Sequence, residues 1–195
     1  MGLLWKGKGV STSSRDVTLH ATMPVVGHGT RVDGVQLRPV AAGDWEAVAR
    51  IFNHYVEHTF SAYPDRPVDE SLFRDRYGTH QEYPFLVAEL DGAVVGFAYL
   101  APFHGAGTMR RSATVTYFLD PDHTGVGIGS RLLDRLLGDG CRIGIANFMA
   151  HVSSLNDASI RFHLRHGFSE CGRFVGVGEK HGRLFDMVWL QRPGS

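Results

Sequence analysis

From Val35 onward the chain alternates between two hydrophobic periods. Val35, Leu37 and the polar residues between them change sides every residue, the pattern of a half-buried strand. After Asp44, a good N-cap residue, Trp45, Val48, Phe52, Tyr55 and Val56 recur at helical spacing and predict an amphipathic helix to about His58. A more polar helix is expected over residues 69–80, with Leu72, Phe73 and Tyr77 as its apolar positions. Residues 84–90 read as a strand, Asp91-Gly92 as a two-residue hairpin turn, and residues 93–101 as the return strand. Residues 112–119, rich in Thr, Val, Tyr and Phe, give a fourth strand. A second amphipathic helix opens near Ile128, carries Leu132, Leu133, Leu136 and Leu137, and is expected to end at Gly138 and Gly140. A fifth strand is expected over 143–152. A short helix follows, capped by Asn156-Asp157 and stopped by Gly167. Two last strands, near 172–177 and 183–191, flank a Lys180-His181-Gly182 turn.

This order predicts an α/β (α+β) fold with one mixed sheet and helices on its faces, a single domain over residues 35–195. Residues 1–34, rich in Gly, Ser, Thr and Val without a sustained period, read as a flexible extension. Twenty basic and twenty acidic residues give zero formal net charge, so bulk electrostatics favours neither nucleic acid nor an anionic membrane. No apolar run reaches the ~18 residues of a membrane span. Cys141 and Cys171 form no CxxC motif and read as reduced thiols of a cytoplasmic protein. The eleven histidines are expected to be scattered, with no HxxxH or HExxH helix pair, and no metal site is expected.

The stretch after the fourth strand carries the clearest chemistry. Gly125, Gly127 and Gly129 leave backbone N–H groups uncovered where a helix begins, an arrangement that favours phosphate or pyrophosphate. Three phosphate binders compete. A P-loop needs Lys after its last glycine, and none is present. Gly125-x-Gly127-x-x-Ser130 imitates a dinucleotide fingerprint, but after the wrong strand. An acyl-CoA loop, Q/R-x-x-G-x-G/A, finds its glycines in Gly127 and Gly129.

The wider pattern resembles the GNAT superfamily of acyl-CoA N-acyltransferases over about residues 35–191. More narrowly it is similar to the phosphinothricin N-acetyltransferase family. The resemblance rests on residues 51–56, residues 84–89, Gly127-Ile128-Gly129-Ser130, residues 156–163 with Gly167-Phe168, and residues 178–183 with Asp186. It implies a mostly antiparallel, splayed sheet flanked by helices, acetyl-CoA as cosubstrate, and a homodimer. The backbone of Tyr117, Phe118 and Leu119 would lie beside the pantetheine arm. Thr124, Gly125, Val126, Gly127, Ile128, Gly129 and Ser130 would hold the pyrophosphate, and Asn156 would contact the cofactor. His163 would protonate the departing thiolate, a role suited to a near-neutral histidine. Phe60, Tyr63, Arg110 and Thr114 would meet a small amine, amino-acid-like as phosphinothricin or methionine sulfone and sulfoximine are.

Two positions depart from that family. Thr124 stands where its loop has Gln or Arg, so that one phosphate contact is lost or is supplied by Arg131 or another residue. Thr114 stands where it has a Glu base, leaving the role to a water relay, Glu57, Glu89 or His104, or to an amine that arrives neutral. Three other functions compete: a non-catalytic acyl-CoA sensor, an acetyltransferase of protein N-termini or polyamines, and a dinucleotide-binding module.

Overall fold

A computed structural model describes residues 34–194; the proposed N-terminal extension lies almost wholly outside them. One seven-stranded sheet organises the chain. Its strands are β1 (Gln36–Pro39), β2 (Phe85–Leu90), β3 (Ala93–Pro102), β4 (Ser112–Leu119), β5 (Asn147–Ser153), β6 (Ser169–Lys180) and β7 (Arg183–Pro193). They stand in the order β1-β2-β3-β4-β5-β7-β6. Every neighbouring pair is antiparallel except β4 and β5, which run parallel. The expected mixed, mostly antiparallel sheet is present.

Helices cover both faces. Helices α1 (Trp45–His58) and α2 (Ser71–Thr79) lie on one, over a core of Trp45, Val48, Ile51, Phe73, Phe85, Val87, Phe97 and Tyr99. Helix α3 (Ile128–Arg142) lies on the other, over Leu86, Ala98, Leu100, Ala113, Val115, Phe148, Ala150 and Val188. Helix α4 (Asp157–Arg165) shares the α3 face through Ile160 and Phe162. Successive residues of each central strand therefore serve opposite cores, as the pleat requires.

Three boundaries differ from expectation. Helix α3 does not stop at its glycines but runs on to Arg142. Gly140 is instead a packing position: a Cβ there would stand 2.7 Å from both Leu100 and Phe148. The fifth strand consequently begins at Asn147, and Ile143 becomes the exposed C-cap of α3. Strand β6 is twice its expected length because the hairpin to β7 continues to Lys180. Asp44 precedes α1 but its carboxylate does not cap the helix; it takes a forked pair from Arg38 at 2.7 and 2.9 Å.

Candidate active site

The sheet opens in its middle. β4 and β5 pair only at Ser112↔Asn147, Ala113↔Phe148 and Thr114↔Met149, after which β4 keeps β3 as its sole partner. Backbone bonds show which way the freed edge points. Asp120 N–H donates to Val95 and Phe103 N–H to Ser112, both toward β3, whereas the Arg111 carbonyl accepts from Ala146 and Asn147 on the β5 side. Alternation then turns the N–H and C=O of Tyr117 and Leu119 into the gap. The Leu119 carbonyl already accepts the Tyr55 hydroxyl at 2.7 Å.

A cavity of about 850 Å³ occupies this gap and is lined from both faces of the sheet. On the α3–α4 face it meets Thr124, Gly125, Gly127, Gly129 and Ser130, then Asn156, Ser159, Phe162, His163 and Arg165. Gly125 and Gly127 hold φ of 77° and 95°, a region that disfavours other residues, and Gly127 is the N-cap of α3. The loop thus presents helix-end N–H groups to the cavity. Val126 and Ile128 do not line the cavity: Ile128 is buried in the core and Val126 packs against it. The Thr124 hydroxyl donates back to Pro121.

Arg131 does not stand in for the missing loop cation. Its guanidinium donates to the Val35 carbonyl at 2.8 Å. Arg165, in the last turn of α4, lines the cavity and has no acidic partner among the described residues. Asn156 caps α4 through Oδ1, which accepts Ser159 N–H, and its Nδ2 donates to Ser61 Oγ at 2.8 Å. It therefore joins the glycine-loop side of the cavity to the loop after α1.

His163 is 3% exposed. Its Nδ1–H donates to the Ser159 carbonyl at 2.8 Å, which leaves Nε2 to accept the Tyr117 hydroxyl at 3.2 Å. Burial pulls the imidazole down to about 4, with the Ser159 bond opposing. The expected near-neutral value is corrected: His163 is uncharged at pH 7. Burial likewise pushes the Tyr117 hydroxyl up, so the pair is a neutral O–H···N unit.

The α1–α2 face supplies Phe52, Ser61, Tyr63, Phe73, Arg76, Tyr99, Thr114, Thr116 and His151. Of the four residues expected to meet the amine, Tyr63 and Thr114 line the cavity; Phe60 and Arg110 do not. Phe60 turns to the β6–β7 hairpin, against His181, Phe185 and Arg183. Arg110 is exposed and donates to Gly107 in its own turn. Lys180, buried in the hairpin, donates to the Ala62 carbonyl at 2.8 Å and so holds the Ser61–Pro64 stretch against the cavity.

Arg76 and His151 are the informative residues that sequence patterning passes over. The Arg76 guanidinium donates to the Tyr99 hydroxyl at 3.0 Å and has no acidic partner among the described residues. His151 stacks on Tyr63 (5.4 Å between ring centroids) and against Trp189 (5.1 Å), its partner in register on β7. Both sit in ordinary strand or helix patterns, and their partners are far away in sequence. Among the described residues no Asp or Glu side chain lines the cavity. Glu57 is exposed on α1, Glu89 is bound to Arg38 at 2.8 Å, and His104 caps its own loop through Ala106 N–H. His54 and His58 are not scattered: they stand one turn apart on α1 with rings 4.8 Å apart. Among the described residues no group of three metal ligands forms.

The acetyltransferase (GNAT) family model matches residues 46–168. An L-methionine sulfoximine/L-methionine sulfone acetyltransferase of Salmonella typhimurium is 35% identical over 150 residues, 76% of this chain and 88% of that protein. A phosphinothricin N-acetyltransferase of Streptomyces viridochromogenes is 32% identical over 161 residues, 81% of this chain and 87% of its own. The crystal structure of a phosphinothricin acetyltransferase from Sinorhizobium meliloti in complex with acetyl-CoA superposes with a TM-score of 0.79 at 30% identity, covering 83% of this chain and 89% of that one. Glycine loop, opened sheet and these matches agree: the chain belongs to the acetyltransferase (GNAT) family and is an acetyl-CoA-dependent N-acetyltransferase.

Proposed function

We propose that the acceptor is the primary amine of a small, amino-acid-like molecule of the phosphinothricin or methionine sulfone/sulfoximine type. One observation carries this reading: among the described residues, the acceptor half of the cavity holds the cation Arg76 and no carboxylate. A guanidinium without an acidic partner suits a substrate carboxylate, which it can engage through two N–H groups. The same lining opposes a polyamine, whose charges would need acidic side chains.

Residues on the other face take the donor. The glycine-loop N–H groups and Arg165 hold its pyrophosphate, and the freed edge at Tyr117 and Leu119 pairs with the pantetheine arm as an added strand. The Leu119 N–H points into the gap, where it can stabilise negative charge on the thioester oxygen. The amine attacks through the gap, and the Tyr117–His163 pair delivers a proton to the departing sulfur. Alignment of both reactants supplies much of the acceleration.

Calorimetric titration tests the donor half: acetyl-CoA binds saturably, NADH and ATP do not. Thiol release with L-methionine sulfone as acceptor tests the other half. Binding of acetyl-CoA with no turnover on an amino-acid panel would replace this reading with a non-catalytic sensor.

A homodimer completes the proposal. β6 is an edge strand, and Phe174, Val175 and Val177 on it, with Leu184 on β7, are 57–81% exposed. An apolar edge of this kind suits pairing with a second copy. Two unpaired cysteines, one of them exposed, suit a cytoplasmic location.

A further inference from the structure

The cavity poses a chemical problem. An amine that attacks a thioester must lose a proton, yet no carboxylate among the described residues lines the site. We propose that His151 is the general base of the transfer, accepting that proton on Nε2. The proposal rests on the acetyltransferase reading above and assigns a residue to its unfilled role.

Placement is the first support. β5 presents Phe148, Ala150 and Val152 to the α3 core, so His151 points to the other face, where the acceptor enters. It stands two residues beyond Met149, the last β5 residue paired with β4, and so at the mouth of the gap. Thr114 and Thr116 of β4 line the same face of the cavity.

Orientation is the second. Nδ1 lies 3.3 Å from the Tyr63 hydroxyl. With Nδ1–H donating to that oxygen, Nε2 carries the lone pair and has no partner among the described protein groups. Tyr63 stacks on the ring, Trp189 meets it at a tilt, and Tyr63 in turn stacks on Phe185 at 5.8 Å. The groups facing the ring are Tyr63 from the loop after α1 and Trp189 from β7; Arg76 and Tyr99 share the cavity. Burial pushes Tyr63 up to about 12, so it remains a neutral hydroxyl, and burial lowers His151, so the imidazole is unprotonated at pH 7.

The step balances. The amine lone pair forms the C–N bond to the acetyl carbon, and the C–S bond breaks with its electron pair on sulfur. The amine proton passes to His151 Nε2, and sulfur takes a proton from the Tyr117–His163 pair. Solvent then removes the first proton and restores the second.

The test is turnover of L-methionine sulfone by the wild type and H151Q, with acetyl-CoA affinity measured alongside. H151Q is expected to lose about 100-fold or more in kcat while binding acetyl-CoA as the wild type does. Added imidazole should restore part of the rate of H151A. The logarithm of wild-type kcat/KM against pH should steepen from slope one, set by the acceptor amine, to slope two below the ordinary histidine range. H151Q should keep slope one throughout. An H151Q enzyme within threefold of the wild type, with the same profile, overturns the assignment and leaves the acetyltransferase reading standing. A wild type that binds acetyl-CoA but acetylates no amino acid overturns both. Should H151Q fail to fold, the wild-type profile decides alone: a single slope of one rejects His151.

Discussion

His163 and Arg76 show how one residue's surroundings set its task. His163 is held near 4 when folded and returns to about 6.5 when unfolded. Between those values the unfolded chain binds the extra proton, so stability falls as pH drops from 6.5 toward 4 and is unaffected by this group above 6.5. The loss is at most about 3 kcal/mol. Urea midpoints of the wild type at pH 7 and pH 5 should therefore differ more than those of H163F. In catalysis H163A should lower kcat by about 100-fold with little change in acetyl-CoA affinity, read by steady-state kinetics and calorimetry. For Arg76, R76Q should raise the KM of an amino-acid acceptor about tenfold, roughly 1.4 kcal/mol, and leave acetyl-CoA binding intact. An unchanged acceptor KM would remove Arg76 from the site.

Elements were legible where a periodic pattern coincided with a local stop signal. The β2–β3 hairpin, α1 and the glycine loop all meet that condition. Helix α3 was misjudged because a glycine that ends a helix and one that admits a neighbour look alike in sequence. In the structure neither Gly138 nor Gly140 ends the helix: Gly140 admits its neighbours and Gly138 faces open space. G140A would drive a methyl into Leu100 and Phe148 and should cost about 1–3 kcal/mol, despite alanine's better helix propensity. G138A meets nothing within 4 Å and should stabilise by up to about 1 kcal/mol. Chemical denaturation of the two variants checks the opposite signs. Part of the cavity lining was legible by the same rule. Gly125, Gly127, Gly129 and Ser130 are marked by a local loop-to-helix signal, and Asn156 by a local capping signal. Tyr63 could not be told from Phe60, because nothing local says which ring of that loop faces inward. His151 was hidden because its partners Tyr63 and Trp189 lie 88 and 38 positions away; only the sheet brings them together.

At the scale of the whole molecule, the sheet does two unlike jobs. Its β1–β4 half is covered on both faces, whereas the β6–β7 end leaves Phe174, Val175, Val177 and Leu184 in solvent. In the proposed dimer V175E should shift the particle to half its mass in light scattering, with folding retained because Val175 is 81% exposed. A wild-type monomer would reject that arrangement.

The opening between β4 and β5 also bears on the order of binding, which the proposed two-sided access leaves free. In the proposed complex each reactant would reach the gap from its own face of the sheet, so neither would block the other's entrance, and each product would leave by the route its parent used. Double-reciprocal plots should intersect rather than run parallel. A thiol-free CoA analogue should compete with the donor but not with the acceptor. A change of acceptor preference could then arise on the α1–α2 side alone, leaving the nucleotide's door untouched.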